Sequence, residues 1–372
     1  MFRGAQPCPA ACQVNTLNSW INRYPVDHPD AVTLRKPLRK ALKRTGLTLD
    51  RVAVAVSGGP DSALMAVQLA ALAHETGASP HIFHIHHGLQ APADRWRDHV
   101  HDLAHMLGLP CHSRTVTVEA ARRTGTEAAA RRARYQAMRT MASELNIEAV
   151  FLAHHRDDQA ETVLLRLLRG SGPTGLAAMA DETVRDGLRY LRPWLGVERG
   201  HIMTHMQLFS MACNWWPVYD PTNYQDRYTR SAVRERLAPE LNQRWPGWQS
   251  VLARHARLAA QTRDILDEVA RADFDRLRPA DDGRSFCLKA WRALTPARQA
   301  HVIRYWLGVL GYRPPTEARL SDVMRQLREL HALGHDRHMR VKHSNVWICC
   351  HRGRVYLDDG LDTPREGGAE TR

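Results

Sequence analysis

Short apolar segments and amphipathic segments alternate along the first half of the chain. Apolar runs with the length and composition of buried strands lie near 52–56, 81–87, 113–118 and 149–155. Segments with helical periodicity follow them, near 63–76, 93–107, 126–145 and 158–169. Repeated βαβ units of this length predict an α/β fold with a doubly wound, Rossmann-like parallel sheet. Functional groups are then expected at the carboxyl ends of its strands.

The second half of the chain has a different periodicity. Helical spacing recurs near 230–242, 247–276, 295–309 and 315–332. Residues 338–359 then alternate as a hairpin does, with a turn at Arg352–Gly353. These patterns predict four parts: a lead-in with a basic helix over 1–48, a catalytic domain over 49–228, a mainly helical domain over 229–360 and a disordered tail over 361–372.

Composition restricts the class of protein and its partners. The chain has 372 residues and a formal net charge of +13. Binding to nucleic acid explains this charge better than the alternative, which is that all proteins of the organism are rich in arginine. No stretch is apolar and long enough to span a bilayer, and the first residues lack a secretory signal, so no membrane partner is expected. Seven scattered cysteines argue against a disulfide framework and for a reducing, cytoplasmic compartment.

The sequence VAVAVSGGPDS at 52–62 is the most informative chemical pattern. A small apolar strand ends in a glycine loop, and a helical segment follows it. Exposed amides of Ser57, Gly58 and Gly59 at a helix N-terminus bind phosphate. Neither a Walker lysine nor a G-x-G-x-x-G spacing is present, whereas Asp61 suits a Mg²⁺ ion that bridges to phosphates. The alternative is a plain Gly-Ser turn between a strand and a helix.

Two further motifs fall at predicted strand ends. HIHHGL at 84–89 places His84 where it can contact a nucleotide; a metal site is disfavoured because alternate strand residues face opposite sides. AHHRDDQAET at 153–162 puts Asp157, Asp158 and Glu161 on one helical face. These acids either cap the helix or hold cations opposite the phosphate loop.

Two segments supply arginines, and several aromatic residues are candidates for base stacking. In 125–138, Glu127 is spaced to pair with Arg131, and the arginines, among them Arg131 and Arg134, can meet nucleotide or RNA phosphates; the alternative is a plain Ala/Arg helix. DPTNYQDRYTRSAVR at 220–234 ends on Arg230 and Arg234, four residues apart. Each segment is a weak signal alone. The candidates for base stacking are Trp194, Trp215, Trp216 and Tyr228; the alternative is a place in the core, where most tryptophans of such chains lie.

In this order, these motifs resemble one family. SGGPDS is similar to the pyrophosphate loop of the N-type ATP pyrophosphatases, or PP-loop superfamily. HIHHGL, GTEAAARRARY, HHRDDQAET and DPTNYQDRYTRSAVR resemble, more narrowly, the tRNA(Ile)-lysidine synthase family, as do RGSGPTGLAAM at 169–179 and RPWL at 192–195. The resemblance covers about residues 50–260. This chain departs from the family pattern at Pro221, Thr222 and Ser231, which puts local contacts in doubt.

The resemblance implies a substrate set and a ligase reaction. ATP would adenylate the C2 oxygen of the wobble cytidine in the CAU anticodon of tRNA(Ile), releasing pyrophosphate. The ε-amine of free lysine would then displace AMP, and the codon read changes from Met to Ile. The ATP-binding residues would be Ser57, Gly58, Gly59, Pro60, Asp61, Ser62 and His84.

The remaining roles follow the same resemblance. Asp61 would hold Mg²⁺, Asp61 and Asp157 would be catalytic, and Asp158 and Glu161 would bind the ammonium groups of lysine. Contacts to tRNA are expected from Arg131, Arg134, Arg230 and Arg234.

Rival functions make different demands on the sequence. A PP-loop tRNA cytidine thiolase would use cysteines for a cluster or persulfide, and no C-x-x-C pair stands near the loop. Amidating enzymes such as GMP or NAD synthetase give no reason for the basic charge. A non-catalytic RNA-binding protein would have lost Asp61 or the Asp157–Asp158 pair, yet both are present. The sequence leaves a homodimer open.

Overall fold

The computed structural model describes residues 20–86, 93–116, 126–219, 229–330 and 339–359. The chain divides into two compact units, Met1–Ala260 and Gln261–Arg372. Within the described residues, no helix combines the length and the apolar character that crossing a bilayer requires.

Unit 1 contains helices on both sides of a central sheet. Its strands are β1 (Val52–Ala55), β2 (His81–His86), β3 (Cys111–Thr115), β4 (Ala149–Phe151), β5 (Glu182–Arg185) and β6 (Leu188–Leu191). Its longer helices are α1 (Pro29–Thr45), α2 (Pro60–Thr76), α3 (Ala93–Leu107), α4 (Thr126–Glu144), α5 (Arg156–Leu168) and α7 (Arg199–Cys213), with the short α6 (Pro173–Leu176) between them. A helical stretch follows, made of α8 (Thr229–Ala232), a π-helical turn (Val233–Leu237) and α9 (Ala238–Arg244). Helix α10 (Trp248–Arg276) then runs across the division between the units.

The strand order places the ends of β1 and β4 side by side. The sheet has the order β3-β2-β1-β4-β6-β5, and all neighbouring pairs are parallel except β5 with β6. Because β1 pairs with β2 on one side and β4 on the other, the order reverses there. Ligands of open α/β sheets bind at such a switch point. The predicted fold class is confirmed.

The two faces of the sheet bury different side chains. Val52 and Val54 pack in one core with the residues of α1, α2, α3 and α7. Ala53 lies on the opposite face, in a second core with Met138 and Met141 of α4. Both cores are contiguous apolar clusters, as the alternation of a strand with a period of two residues requires. The sheet is therefore rigidly sandwiched, and the loops at its strand ends stand on a fixed base.

The start of unit 1 differs from the predicted lead-in over 1–48. Trp20 and Tyr24 are fully buried beside Phe209 of α7, and Leu34 and Leu38 of α1 lie in the same core. The apolar stripe of α1 is thus used for packing, and the compact unit includes it. The unit also extends to Ala260, beyond the predicted boundary at residue 228. The functional assignment of the four predicted ranges stays a prediction.

Unit 2 combines helices with a small antiparallel sheet. Its further helices are α11 (Leu288–Arg292), α12 (Pro296–Val309) and α13 (Glu317–Glu329). The strands β7 (Ser285–Cys287), β8 (Met339–His343), β9 (Val346–His351) and β10 (Arg354–Asp358) have the order β7-β10-β9-β8. The predicted turn at Arg352–Gly353 is confirmed, with both residues at positive φ as a tight hairpin needs.

Three strands were absent from the sequence prediction. The hairpin β5–β6 turns at Asp186 and Gly187, which have φ of 52° and 82°. An Asp-Gly pair between apolar residues is a strong hairpin signal, so this element was readable from the sequence. Strand β7 has three residues and pairs only with β10. Such a short edge strand carries no periodicity to detect.

Candidate active site

The phosphate loop is a turn held by its own hydroxyl groups. The Ser57 N–H donates to Ser62 Oγ at 3.2 Å, and the Ser62 hydroxyl donates to the Gly59 carbonyl at 3.1 Å. Gly58 has φ of +92°, a region that side chains disfavour. Gly59 is the N-cap of α2 without a side-chain cap, so amides of the first turn are open to a ligand. The loop thus lies at an uncapped helix N-terminus, and its binding of ATP phosphates stays a prediction.

Asp61 lies in the first turn of α2 with an unsatisfied oxygen. Its Oδ1 is buried and accepts no hydrogen bond; His155 Nε2 is 3.7 Å away and Arg199 Nε 3.8 Å away. Burial raises the pKa of Asp61, while the charges of His155 and Arg199 oppose that rise. A buried carboxylate oxygen without a donor is suited to a hard cation such as Mg²⁺. The donor chemistry therefore fits the predicted metal.

His155 connects the phosphate loop to the acidic helix. It is the N-cap of α5. Its ring Nδ1 accepts from the backbone N–H of Asp158 at 3.4 Å, and its backbone N–H donates to Asp158 Oδ2 at 3.1 Å. Its Nε2 lies 3.3 Å from Asp158 Oδ2 and also faces Asp61. This reciprocal cap fixes the start of α5 against the loop.

The acids of α5 are paired with the arginines that follow residue 228. Arg234 donates from Nε to Glu161 Oε1 at 2.6 Å, and from Nη2 to Glu161 Oε2 and Asp158 Oδ1, both at 2.9 Å. Arg230 Nε lies 3.4 Å from Glu161 Oε2, and its Nη2 donates to Thr162 Oγ1 at 3.0 Å. Residues predicted to bind lysine and residues predicted to bind tRNA therefore contact each other.

The electrostatics of this cluster favour the charged forms of Asp158 and Arg234 but not that of Glu161. Burial pushes the pKa of Asp158 upward, but His155, His154, Arg234 and Arg230 outweigh it and hold the pKa below its ordinary value. Burial raises the pKa of Glu161, and the hydrogen bonds from Arg234 oppose the rise. Desolvation of Arg234 is outweighed in the same way, so its pKa is raised. Bidentate pairing of this kind stabilises both ionised partners.

The other predicted ligands of ATP and catalytic groups lie nearby. His84 is buried, and its Nδ1–H donates to the carbonyl of Val56, the residue before the loop, at 2.9 Å. Burial lowers the pKa of His84, which keeps its imidazole neutral. Asp157 is half-buried in the first turn of α5. Their roles toward ATP and lysine stay predictions.

The predicted tRNA contacts separate into two groups. Arg131 and Arg134 are exposed on α4, and Arg131 lies 5.3 Å from the ring centre of Tyr135. The side chain of Glu127, its predicted partner, lies outside the described residues. For Arg230 and Arg234, binding of tRNA phosphate stays a prediction that would require Glu161 and Asp158 to release their guanidinium groups.

Burial excludes two of the four candidates for base stacking, Trp194 and Trp215. Trp194 is fully buried and donates to the Leu34 carbonyl, and the buried Trp215 donates to the His99 carbonyl. Neither ring has a face open to a base. Trp216 is 53 % exposed, and Tyr228 lies outside the described residues.

Sequence reasoning missed two residues of the site. His155 lies inside the AHHRDD motif, but the sequence interpretation assigned roles only to its neighbours Asp157 and Asp158. Arg199 begins α7, far along the chain from the loop, and lies near Asp61 through tertiary packing alone. No local pattern marks it.

Comparison with known proteins gives a consistent result. The family model of the PP-loop domain matches residues 31–241, and that of the TilS substrate binding domain matches residues 286–356. A tRNA(Ile)-lysidine synthase of Bordetella bronchiseptica is 54 % identical, covering 88 % of this chain and 94 % of the relative. Another, from Polaromonas naphthalenivorans, is 39 % identical over 79 % of this chain and 85 % of the relative.

A solved structure supports the fold. The U34-tRNA thiolase NcsA of Methanococcus maripaludis, with its [4Fe-4S] cluster, superposes with a TM-score of 0.51 at 17 % identity. The match covers 62 % of this chain and 80 % of the thiolase. At that identity the likeness concerns fold alone, whereas the lysidine synthases match in sequence over most of both chains. The chain therefore belongs to the tRNA(Ile)-lysidine synthase family of PP-loop, ATP-using ligases.

Proposed function

We propose that this chain ligates free L-lysine to C2 of the wobble cytidine in a CAU-anticodon tRNA(Ile), with ATP released as AMP and pyrophosphate. One observation carries the proposal beyond family membership. The phosphate loop and the acidic start of α5 stand together at the switch point of the sheet, joined through His155. An anion site and a cation site are thus adjacent, as a reaction between ATP and an amine requires. The proposed reaction places the enzyme in the cytoplasm with its tRNA.

In the first half-reaction the loop holds the phosphates that leave. The C2 oxygen of cytidine attacks the α-phosphorus of ATP, and the bond to the β-phosphate oxygen breaks. We assign the departing pyrophosphate to the amides of Ser57, Gly58 and Gly59 and the Ser62 hydroxyl. The Ser57 and Gly59 amides and the Ser62 hydroxyl then have to exchange their present bonds within the loop for bonds to phosphate. Mg²⁺, when bound at Asp61, would neutralise the charge that develops on those oxygens.

In the second half-reaction the ε-amine of lysine attacks C2 and AMP leaves. The amine must lose a proton to attack, and we assign that proton to Asp157. Asp158 and Glu161 hold the ammonium groups of lysine. Since Arg234 already contacts both carboxylates, lysine has to share or displace the guanidinium. The tRNA is held through exposed Arg131 and Arg134, which supply sequence-independent phosphate contacts.

The decisive experiment measures pyrophosphate release by the full chain. The reaction contains ATP, Mg²⁺ and a CAU-anticodon tRNA(Ile) transcript, with and without lysine, and the tRNA product is analysed by mass. We expect one lysine per tRNA. We expect no product when lysine is omitted or when the wobble base is uridine. A parallel reaction contains sulfide as a sulfur donor in place of lysine, and release of pyrophosphate with sulfur incorporation there would instead support the thiolase alternative. No modification of the transcript under any of these conditions would contradict the proposal.

A further inference from the structure

Two exposed aromatic side chains, Trp216 and Tyr219, lie three positions apart in a segment that contacts the phosphate loop. Within the part of the chain that the structure describes, three large aromatic side chains are mostly exposed: Trp216 at 53 %, Tyr219 at 61 % and Trp245 at 61 %. Exposed aromatic rings are costly to leave in water and commonly mark binding sites. Two of the three belong to the segment 215–219, which joins α7 to the residues before α8.

The segment 215–219 is attached directly to the loop that precedes α2. The Val218 N–H donates to the Gly58 carbonyl at 2.9 Å. A Cβ placed on Gly58 would lie 3.5 Å from Val218 Cγ2, so the two backbones are in close approach. Tyr219 therefore follows, by one residue, a direct contact with the phosphate loop.

The segment is also fixed from its other end. The His99 Nε2–H donates to the Trp216 carbonyl at 2.6 Å, and the His99 ring stacks on Trp215 at 4.5 Å between centroids. Burial alternates along the segment: Trp215 and Pro217 are buried, whereas Trp216 and Tyr219 are exposed. The backbone is thus held firmly while two aromatic rings are presented to solvent.

We infer that Trp216 and Tyr219 form a stacking platform for a nucleobase of the tRNA anticodon loop. The inference rests on the proposed function, which requires a pyrimidine to approach the α-phosphate of ATP at this loop. A base removed from its RNA stack needs a replacement surface, and aromatic rings supply one. The adenine of ATP has the same stacking chemistry, but we assign the platform to the RNA base, because that base has to leave its stack to reach the α-phosphate beside this segment.

The test compares Trp216→Ala, Trp216→Phe and Trp245→Ala in the full chain. Trp245 is the matched control, because it is an equally exposed aromatic residue on a different segment. Binding of an anticodon stem-loop with 2-aminopurine next to the wobble position is followed by fluorescence, and KM is measured separately for ATP and tRNA. Because both tryptophans are exposed, the variants should fold, and thermal unfolding checks that they do.

We expect Trp216→Ala to weaken stem-loop binding by roughly 5- to 150-fold and to abolish the stacking quench of 2-aminopurine. Trp216→Phe should restore most of both, and Trp245→Ala should leave both unchanged. A rise in KM for ATP alone would assign the platform to adenine and overturn the inference, as would an unchanged quench in Trp216→Ala. Because the wild-type chain is assayed in parallel for lysine-dependent pyrophosphate release, failure of the proposed function itself is scored independently.

Discussion

The switch point of unit 1, where the strand order reverses between β1 and β4, differs from the core of unit 2 in the hydrogen bonding of its buried polar groups. At the switch point, Asp61 Oδ1, Arg199 Nε and His154 Nδ1 are buried with no hydrogen-bond partner. In the described part of unit 2, only His301 Nε2 is in that state.

The polar groups in the core of unit 2 are satisfied by neighbours. Trp291 Nε1 donates to the Gln299 carbonyl, Trp306 Nε1 donates to the Gly283 carbonyl, and buried Asp273 accepts two bonds from Arg298. An unsatisfied buried polar atom costs about 1–3 kcal/mol, so a fold keeps several in one place only where something else compensates. Other buried polar atoms without a partner lie elsewhere in unit 1, among them Arg35 Nε and Gln68 Oε1, so the contrast by itself assigns no ligand. We expect the proposed substrates to satisfy the groups at the switch point, whereas the core of unit 2 is nearly complete by itself.

The largest expected effect comes from removing the carboxylate that we assign to the metal. Asp61→Ala should lower kcat/KM for lysine-dependent pyrophosphate release by about 10³-fold or more, because the charge on the leaving phosphates loses its counter-ion. Binding of tRNA, measured by filter retention, should change little. Asp98→Ala, an exposed acid paired with Arg97, serves as the control. Full activity in Asp61→Ala would show that the loop assignment is wrong.

The core of unit 2 should respond to a packing change and not to ligands. Trp306 is 1 % exposed and packs edge-on against Phe286 at 4.9 Å between ring centroids. Trp306→Ala should cost about 3–5 kcal/mol of unfolding free energy, measured by urea denaturation. Adding ATP and Mg²⁺ should not recover that loss. Recovery by ATP would break the distinction between the two regions.

Arg234 tests whether the acidic cluster depends on its internal cation. Arg234→Ala removes the bidentate partner of Glu161 and one of the partners of Asp158, and should cost about 3 kcal/mol of unfolding free energy at neutral pH. The double variant Arg234→Ala/Glu161→Gln should be less destabilised than the sum of the single changes, because one uncompensated charge is gone. Additive losses in that cycle would mean that the pairing contributes little to stability.

The smallest effect is a pH dependence from His154. Burial lowers its pKa from 6.5 to about 4 in the folded chain. As pH falls below 6.5, His154 becomes protonated in the unfolded chain but stays neutral in the folded chain. The free energy of unfolding therefore decreases until about pH 4, by at most about 3 kcal/mol. His154→Gln should remove that part of the acid destabilisation. The control His255→Gln, at an exposed histidine, should leave the acid destabilisation unchanged. An identical dependence of stability on pH for wild type and His154→Gln would contradict the assignment.

Much of the site could be predicted because its motifs are short and local. The loop 57–62 and the acids of α5 each stand at the end of an apolar strand, and parallel strands bring their carboxyl ends to one edge. The pairing of Arg234 with Glu161 could not be predicted in this way. Those residues are 73 positions apart, and either could equally have faced solvent, phosphate or lysine.

The sequence by itself determined most of the strands and helices, although not the short β7, and it determined where the phosphate loop begins. Those properties follow from periodicity, glycine conformation and the residues at helix starts, all of which act over a few positions. Only the tertiary structure decided that Asp61 faces His155 and Arg199, that Trp215 is buried, and that Trp216 is exposed. The physical reason is that partners and burial depend on which strands lie side by side, and that order is a property of the whole sheet.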